Sequence, residues 1–586
     1  MAHPNQIETA LRYLQLGDAK RALKAAKLAS KQAPRSPLPP NVAGVALSAL
    51  GRPKEAVPFF SKALKLKPDF LDARQNLSQA LIANGRPDRA LLVLGAPQPS
   101  GPQNWKHHYL MTQAHLAMGN EDDAQLEIDR ALATEPKRAS LLHLRSKIML
   151  GLGRIGEAIE TLGKALVINP NDVQALTDLS LPLARHSKSQ AALDTVGRAV
   201  EVDPTNIPAR FRLATQLVEM GRMSDAQAQY QALLDIHPGH PPALERLAEL
   251  LPAKEAAKLE QQVRLALGAA PRNSEDRACL LYALSTVSAA SGDVEAAQKA
   301  LASANREMAR LNPYDAAADA LVTAAILNRF PATPKLAAQK LTEPVPYPVF
   351  VLGLPRSGTT LAEAILGMHP NVTPLGERGT LGFLLRNTIE NDLPFTHQDA
   401  ANLKEIDIEL LPPLPQDAKV YTDKMPENYR LVGFLEMVHP NAKIIHIRRD
   451  PRDKALSMWK SHFSGTALNY TYDLKSIAAK FNLYSETMSH WHRVFPGQIL
   501  NIQYEDLVAD VETAGKQMAA FCGLDWHPDM ARPDQSTAQV LTLSATQLRH
   551  PVHTKSVGKW RENTDILQPF LDVLNSGSRD GFLGAA

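Results

Sequence analysis

Cysteine is nearly absent: the 586 residues hold only Cys279 and Cys522, far apart in sequence. That excludes a disulfide framework and a cysteine-based metal site, and both are expected to be small buried residues. No His, Cys or carboxylate cluster has metal-ligand spacing, so no metal requirement is expected. No apolar run reaches the roughly 20 residues that span a bilayer. The opening MAHPNQIETALRYLQLGDAKR turns charged before an apolar signal core develops, so a cytoplasmic location is the expectation. Charge of one sign is not in excess either. With 64 Lys and Arg against 61 Asp and Glu the net charge is +3, which gives no global field for nucleic acid or an acidic membrane. What is there is ordinary globular composition, 44% apolar and 21% charged, in a chain too long for one core.

The N-terminal half repeats. Proline recurs every 34 residues from Pro34 to Pro238, and alanine keeps the same step from Ala22 to Ala226. Glycine keeps it at Gly17, Gly51, Gly85, Gly119, Gly153 and Gly221, with Ser187 in the one gap. Glycine suits a tight turn between helices, alanine lets paired helices approach closely, and proline ends the second helix. This array resembles tetratricopeptide repeats. The resemblance implies an all-α solenoid over residues 1–265, with a peptide or protein bound on its concave face. Pro97 stands where other repeats have alanine and predicts a bent or shortened third repeat. The echo SGDVEAAQKALASAN (291–305) keeps the relative spacing out of phase. Residues 266–344 are therefore read as irregular helical repeats ending in a proline-rich linker.

From residue 345 the pattern changes. YPVFVLGL, KVYTDKMP, AKIIHIRR and GQILNIQYEDL read as strands and TTLAEAILGMH as a helix, which predicts a three-layer α/β domain with a parallel sheet over 345–586. In FVLGLPRSGTTLAEAILGMHP the first strand runs into a phosphate-type loop, with Gly353 and Gly358 five apart. The usual lysine is replaced by Thr359, and Arg356 stands inside the loop. Backbone N–H groups of Ser357, Gly358, Thr359 and Thr360 at a helix start, with three hydroxyls, make an anion site. Without the lysine that serves β- and γ-phosphates, the loop suits a phosphosulfate gripped by arginine better than a triphosphate.

PRSGTTL, MHPNV and LGERGTL look like the 5′-phosphosulfate segment of sulfotransferases that use 3′-phosphoadenosine 5′-phosphosulfate (PAPS), most closely the tyrosylprotein branch. IIHIRRDPRDKALSMWKSHF (444–463) is the second match. The resemblance implies that PAPS is the donor and that Arg449 and Ser457 grip its 3′-phosphate. It also implies that Tyr504 in QYEDL lies near the nucleotide. SATQLRHPVHTKSVGKW (544–560) resembles the segment that closes over it, implicating Ser544, Lys559 and Trp560. By the same resemblance Glu377 is the general base that takes the acceptor's proton, and Lys424, with Arg356, stabilises the transferring group.

Competing readings remain on the sequence alone. Glu377 could instead pair with Arg378 on the surface, and Lys424 could be a solvated strand-end lysine. His446, on an apolar strand, reads as a core histidine, while His369, His397 and His462 have no supporting motif. The whole chain could be a tetratricopeptide adaptor whose α/β domain is a nucleotide-binding remnant. The expected partners are a hydroxyl acceptor on a protein, glycan or small molecule, and no nucleic acid.

Overall fold

The computed structural model describes residues 6–95, 104–333, 346–463, 465, 467–536, 539–540 and 548–574. Contacts divide the chain into two compact units, Met1–Ala175 and Leu176–Ala586. The division falls inside the repeat array.

The first unit consists of helix pairs. The turn glycines Gly17, Gly51, Gly85, Gly119 and Gly153 all hold positive φ, between 66° and 76°, which a side chain disfavours. Ala22, Ala56, Ala90, Ala124 and Ala158 are fully buried where helices cross. Pro97 and Ser544 lie outside the described residues. Within the described residues the third repeat's second helix runs over Pro87–Gly95.

The second unit begins with two more repeats of the same kind, where Ser187 (φ 58°) and Gly221 (φ 80°) make the turns. It continues into a parallel sheet of five strands: β1 Tyr347–Leu352, β2 Val372–Pro374, β3 Val420–Asp423, β4 Lys443–Arg448 and β5 Ile499–Gln503. Their order is β2-β3-β1-β4-β5, and every pairing is parallel. Four of these strands are legible as apolar runs. β2, at three residues, is too short for any pattern to show.

The sheet is buried on both faces, as alternation along β1 requires. Val349 and Val351 pack with Ile445, Ile447 and Ile502 against the helices Thr359–Gly367 and Val511–Phe521. Phe350 and Leu352 face the other way, toward Phe434, Tyr484 and Trp491. Helices Glu275–Ala290, Val294–Leu311 and Ala316–Arg329 contribute to that second core. Phe330 makes edge contacts with Phe434 (5.0 Å) and Trp491 (5.8 Å), and Asn305 donates to the Trp459 carbonyl at 3.0 Å. The stretch read from sequence as a joining segment is thus, up to residue 333, part of the α/β domain's own packing. Among the described residues no helix is long and apolar enough to cross a membrane.

Candidate active site

The loop between β1 and the helix Thr359–Gly367 lies at the carboxyl end of the sheet, where strand ends leave backbone groups unpaired. Gly353 has to be glycine: a Cβ there would stand 2.8 Å from the Ile447 carbonyl. Arg356 holds a φ of 66°, a conformation rare outside glycine, and this aims its side chain across the sheet. Its Nε donates to Ser457 Oγ at 3.0 Å, and its carbonyl accepts from Arg449 Nη1 at 2.8 Å. Arg449 follows β4, and Ser457 is on the helix Pro451–Trp459. Two motifs about a hundred residues apart in sequence therefore meet in one cavity, lined also by Gly358, Thr359, Thr360 and Tyr504.

The electrostatics of this cavity are unbalanced. Burial and the neighbouring Arg449 push the Arg356 guanidinium down to about 10. Arg449 lies 4.5 Å over the Tyr504 ring, and its buried Nε has no partner among the described residues. The Tyr504 ring also stands where a Cβ on residue 358 would be, so only glycine fits beside it. An anion between the two guanidinium groups would relieve their repulsion and satisfy the orphaned N–H.

Not every residue singled out from sequence arrives here. The Ser357 hydroxyl turns back to donate to the Leu354 carbonyl at 2.6 Å, and its N–H donates to the same oxygen, so Ser357 shapes the loop rather than lining the cavity. Trp560 and Gly558 give their N–H groups to the Asp453 carboxylate (2.9 and 2.6 Å), and Trp560 stacks on Arg452; neither Lys559 nor Trp560 lines the cavity. Ser556 does line it, and sequence reading missed it. Its carbonyl accepts from Arg449 Nη2 at 3.1 Å, and its hydroxyl meets the Tyr504 hydroxyl at 2.9 Å. The signal was available, since Ser556 lies in the same HTKSVGKW segment.

A second cleft adjoins the first, sharing Thr360 and Leu548 in its lining. It holds Glu377 and Lys424, joined by a 2.7 Å ion pair. Lys424 is 1% exposed and so is not a solvated lysine, whereas the Glu377 side chain is 37% exposed. Arg378 does not pair with Glu377; it is buried against Asp407 at 2.9 Å. Glu363, also missed from sequence, sits beneath the pair. Its carboxylate accepts from the Gly376 N–H (3.0 Å) and the Thr422 hydroxyl (2.8 Å), tying the Glu377 loop to the strand that Lys424 follows. Burial raises the Glu363 pKa against the pull of Lys424.

His550 and His553 line the first cavity, whereas His446 and His462 line neither. His446 is buried, held between Asn501 (2.8 Å) and the Tyr484 hydroxyl, and burial pushes its pKa well down. His462 pairs with Glu245 at 2.9 Å, and the Cys279 thiol donates to the same carboxylate. These three residues bring ligand-type atoms within 4.8 Å of one another, a donor set that a divalent cation could use, although none lines either cavity. The expectation of no metal rested on spacing along the chain, which cannot reveal a group assembled from three separate elements.

Comparisons with known proteins agree with this architecture. Residues 348–528 match the model of the Sulfotransferase family, and residues 47–107 and 183–251 match that of the Tetratricopeptide repeat. The chain therefore carries a sulfotransferase-family domain behind tetratricopeptide repeats. An uncharacterised protein of Aquifex aeolicus (strain VF5) is 32% identical over 247 residues, covering 39% of this chain and 32% of its own length. Protein-tyrosine sulfotransferase 2 of Gallus gallus is 26% identical over 259 residues, 40% of this chain and 69% of that one. Among solved structures, the type IV pilus biogenesis factor PilW is 19% identical, with a TM-score of 0.34 over 36% of this chain and 96% of its own.

Proposed function

We propose that the protein transfers a sulfuryl group from PAPS to an acceptor hydroxyl, with the names of its relatives favouring a phenolic hydroxyl such as a protein tyrosine. One observation carries the reading. The two-arginine cavity and the Glu377–Lys424 cleft meet at Thr360, so a donor held in the first presents its terminal group to an acceptor in the second. The cavity suits a doubly anionic nucleotide, having two adjacent guanidinium groups, an orphaned N–H and a glycine that admits Tyr504. Arg356 with the Thr359 and Thr360 N–H groups would face the 5′-phosphosulfate, and Arg449 with Ser457 the 3′-phosphate. PAPS supplies the sulfuryl group and a phosphate leaving group.

In the transfer the acceptor oxygen bonds to sulfur while the bond from sulfur to the bridging phosphate oxygen breaks. Adenosine 3′,5′-bisphosphate leaves with that electron pair, and the acceptor's proton passes to the Glu377 carboxylate. Protonation weakens the ion pair with Lys424, freeing its ammonium to stabilise the charge developing on the leaving oxygen. The repeat array recruits the acceptor or a partner to this site. The test is thermal stabilisation of the full chain, followed by transfer of labelled sulfate to an acceptor panel. Adenosine 3′,5′-bisphosphate should raise the melting temperature and ATP should do so much less. Equal stabilisation by both would overturn the reading.

A further inference from the structure

Three side chains outside both cavities converge from separate elements. Glu245 lies on the helix Pro241–Leu250, within the stretch that matches the repeat model, and Cys279 lies on the helix Glu275–Ala290. His462 belongs to the sulfotransferase-family domain, just beyond the helix Pro451–Trp459 that carries Ser457. Glu245 Oε2 accepts from the Cys279 thiol at 2.7 Å, and Glu245 Oε1 lies 2.9 Å from His462 Nδ1. The sulfur, nitrogen and carboxylate oxygen all fall within 4.8 Å of one another.

A buried cysteine ordinarily packs as a small hydrophobe. Cys279 instead turns its sulfur to a carboxylate that is 3% exposed and already meets an imidazole. That imidazole is held in place. Its ring stacks on Tyr282, with centroids 4.6 Å apart and planes 12° from parallel, and the Tyr282 hydroxyl donates to Asn305 Oδ1 at 2.9 Å. Asn305 in turn donates to the Trp459 carbonyl, and the Tyr472 hydroxyl donates to the Phe463 carbonyl at 2.6 Å, which fixes the backbone on either side of His462. Ligands oriented by such neighbours bind a metal with little further ordering. The His462 side chain, 15% exposed, leaves a way in.

The donor set narrows the choice of metal. Thiolate and imidazole suit zinc and disfavour calcium and magnesium, which take oxygen ligands. Zinc bonds of about 2.3 Å to sulfur and about 2.0–2.2 Å to nitrogen and oxygen set ligand atoms roughly 3–4 Å apart, so only small side-chain shifts are needed. One thiolate and one carboxylate balance a divalent ion, a neutral imidazole adds no charge, and water completes the tetrahedron. On binding, the S–H bond gives way to a sulfur–zinc bond and the thiol proton leaves to solvent.

We propose that Glu245, Cys279 and His462 form a zinc site, which fastens the repeat array to the segment following the Ser457 helix. The site goes beyond sulfuryl transfer and does not depend on it, because the ion stands at the joint and away from both cavities.

The experiment uses the full chain, stripped with a chelator and then titrated with cobalt(II), and with zinc in competition with a chromophoric chelator. The wild type should give the near-ultraviolet band of thiolate-to-cobalt charge transfer and the visible bands of a tetrahedral ion. Cys279→Ser should abolish the charge-transfer band, while Cys522→Ser, which changes the only other thiol, should keep it. His462→Gln and Glu245→Gln retain hydrogen-bonding groups and should weaken zinc binding at least about tenfold. Zinc should raise the melting temperature of the wild type and of Cys522→Ser and leave that of Cys279→Ser unmoved. A charge-transfer band absent from the wild type, or one that survives in Cys279→Ser, would overturn the proposal. So would zinc that leaves the wild-type melting temperature unchanged.

Discussion

Glu377 Oε1 and Lys424 Nζ lie 2.7 Å apart, with the lysine buried and the carboxylate open to a cleft. A carboxylate meant only to neutralise a buried lysine has no need to face solvent on its other side, and this one does. The pair joins the end of β3 to the loop after β2, so its spacing depends on both strands keeping register.

Replacement of Glu377 by Gln should leave the affinity for adenosine 3′,5′-bisphosphate nearly unchanged and lower kcat about 10²-fold or more, the scale of a general base. Single-turnover transfer from labelled PAPS would show it. Wild-type turnover in the variant would remove Glu377 from that role.

Arg449→Ala should act on the other cavity. It removes a guanidinium that the structure places beside Arg356, Ser556 and Tyr504. Charge-assisted hydrogen bonds of this kind contribute about 1.5–3 kcal/mol, so nucleotide binding should weaken about tenfold to a hundredfold. Calorimetric titration with adenosine 3′,5′-bisphosphate gives the answer, and unchanged affinity would mean the 3′-phosphate binds elsewhere.

Glu363 lines the floor of the Glu377 cleft and holds the Gly376 N–H and the Thr422 hydroxyl. Glu363→Ala should release the Glu377 loop and lower kcat about tenfold with little change in nucleotide affinity, as loss of positioning does. Glu363→Gln keeps an accepting oxygen and should recover most of the rate. A Gln variant as impaired as the Ala variant would show that charge, not position, is what Glu363 supplies.

Asp423 offers a test by pH. Burial, with Asp407 and Glu363 adding to it and Arg378 opposing, pushes its carboxyl up to about 7. An acid whose folded value is raised contributes fully at low pH and loses that contribution as pH climbs from about 4 toward 7, because the unfolded chain ionises first. Between pH 4 and pH 8 the stability of Asp423→Asn relative to wild type should therefore improve by about 2–4 kcal/mol in denaturant melts. A difference independent of pH would mean the carboxyl is ionised in the native state.

Ser187 stands where the other turns have glycine and holds a φ of 58°. Ser187→Gly should relieve that strain and stabilise the chain by about 0.5–1 kcal/mol, measured as a shift in the denaturant midpoint. A loss of stability would show that Ser187 side-chain contacts outweigh backbone strain.

Periodicity made the repeats legible, since one residue type at each turn, crossing and helix end is a local requirement that recurs with the period. Motif spacing made Arg356, Thr359, Thr360, Arg449, Ser457 and Tyr504 legible as candidates, and all six line one cavity. Ser556 and Glu363 were not picked out. Each matters through a partner distant in sequence, Arg449 for one and Gly376 with Thr422 for the other. Lys559 and Trp560 were chosen from the right segment but do not line the cavity, and the Trp560 backbone N–H donates to Asp453 instead.

By itself, the amino-acid order determined the helix pairs, four of the five strands and the strand–loop–helix turn around Arg356, because each follows from interactions among residues near in the chain. Only the tertiary structure decided that Lys424 is buried against Glu377, that Arg378 belongs to Asp407, and that Arg185 of a repeat faces the same cleft. Charges choose partners by distance through space, and that distance is set only once the sheet and the repeats have packed.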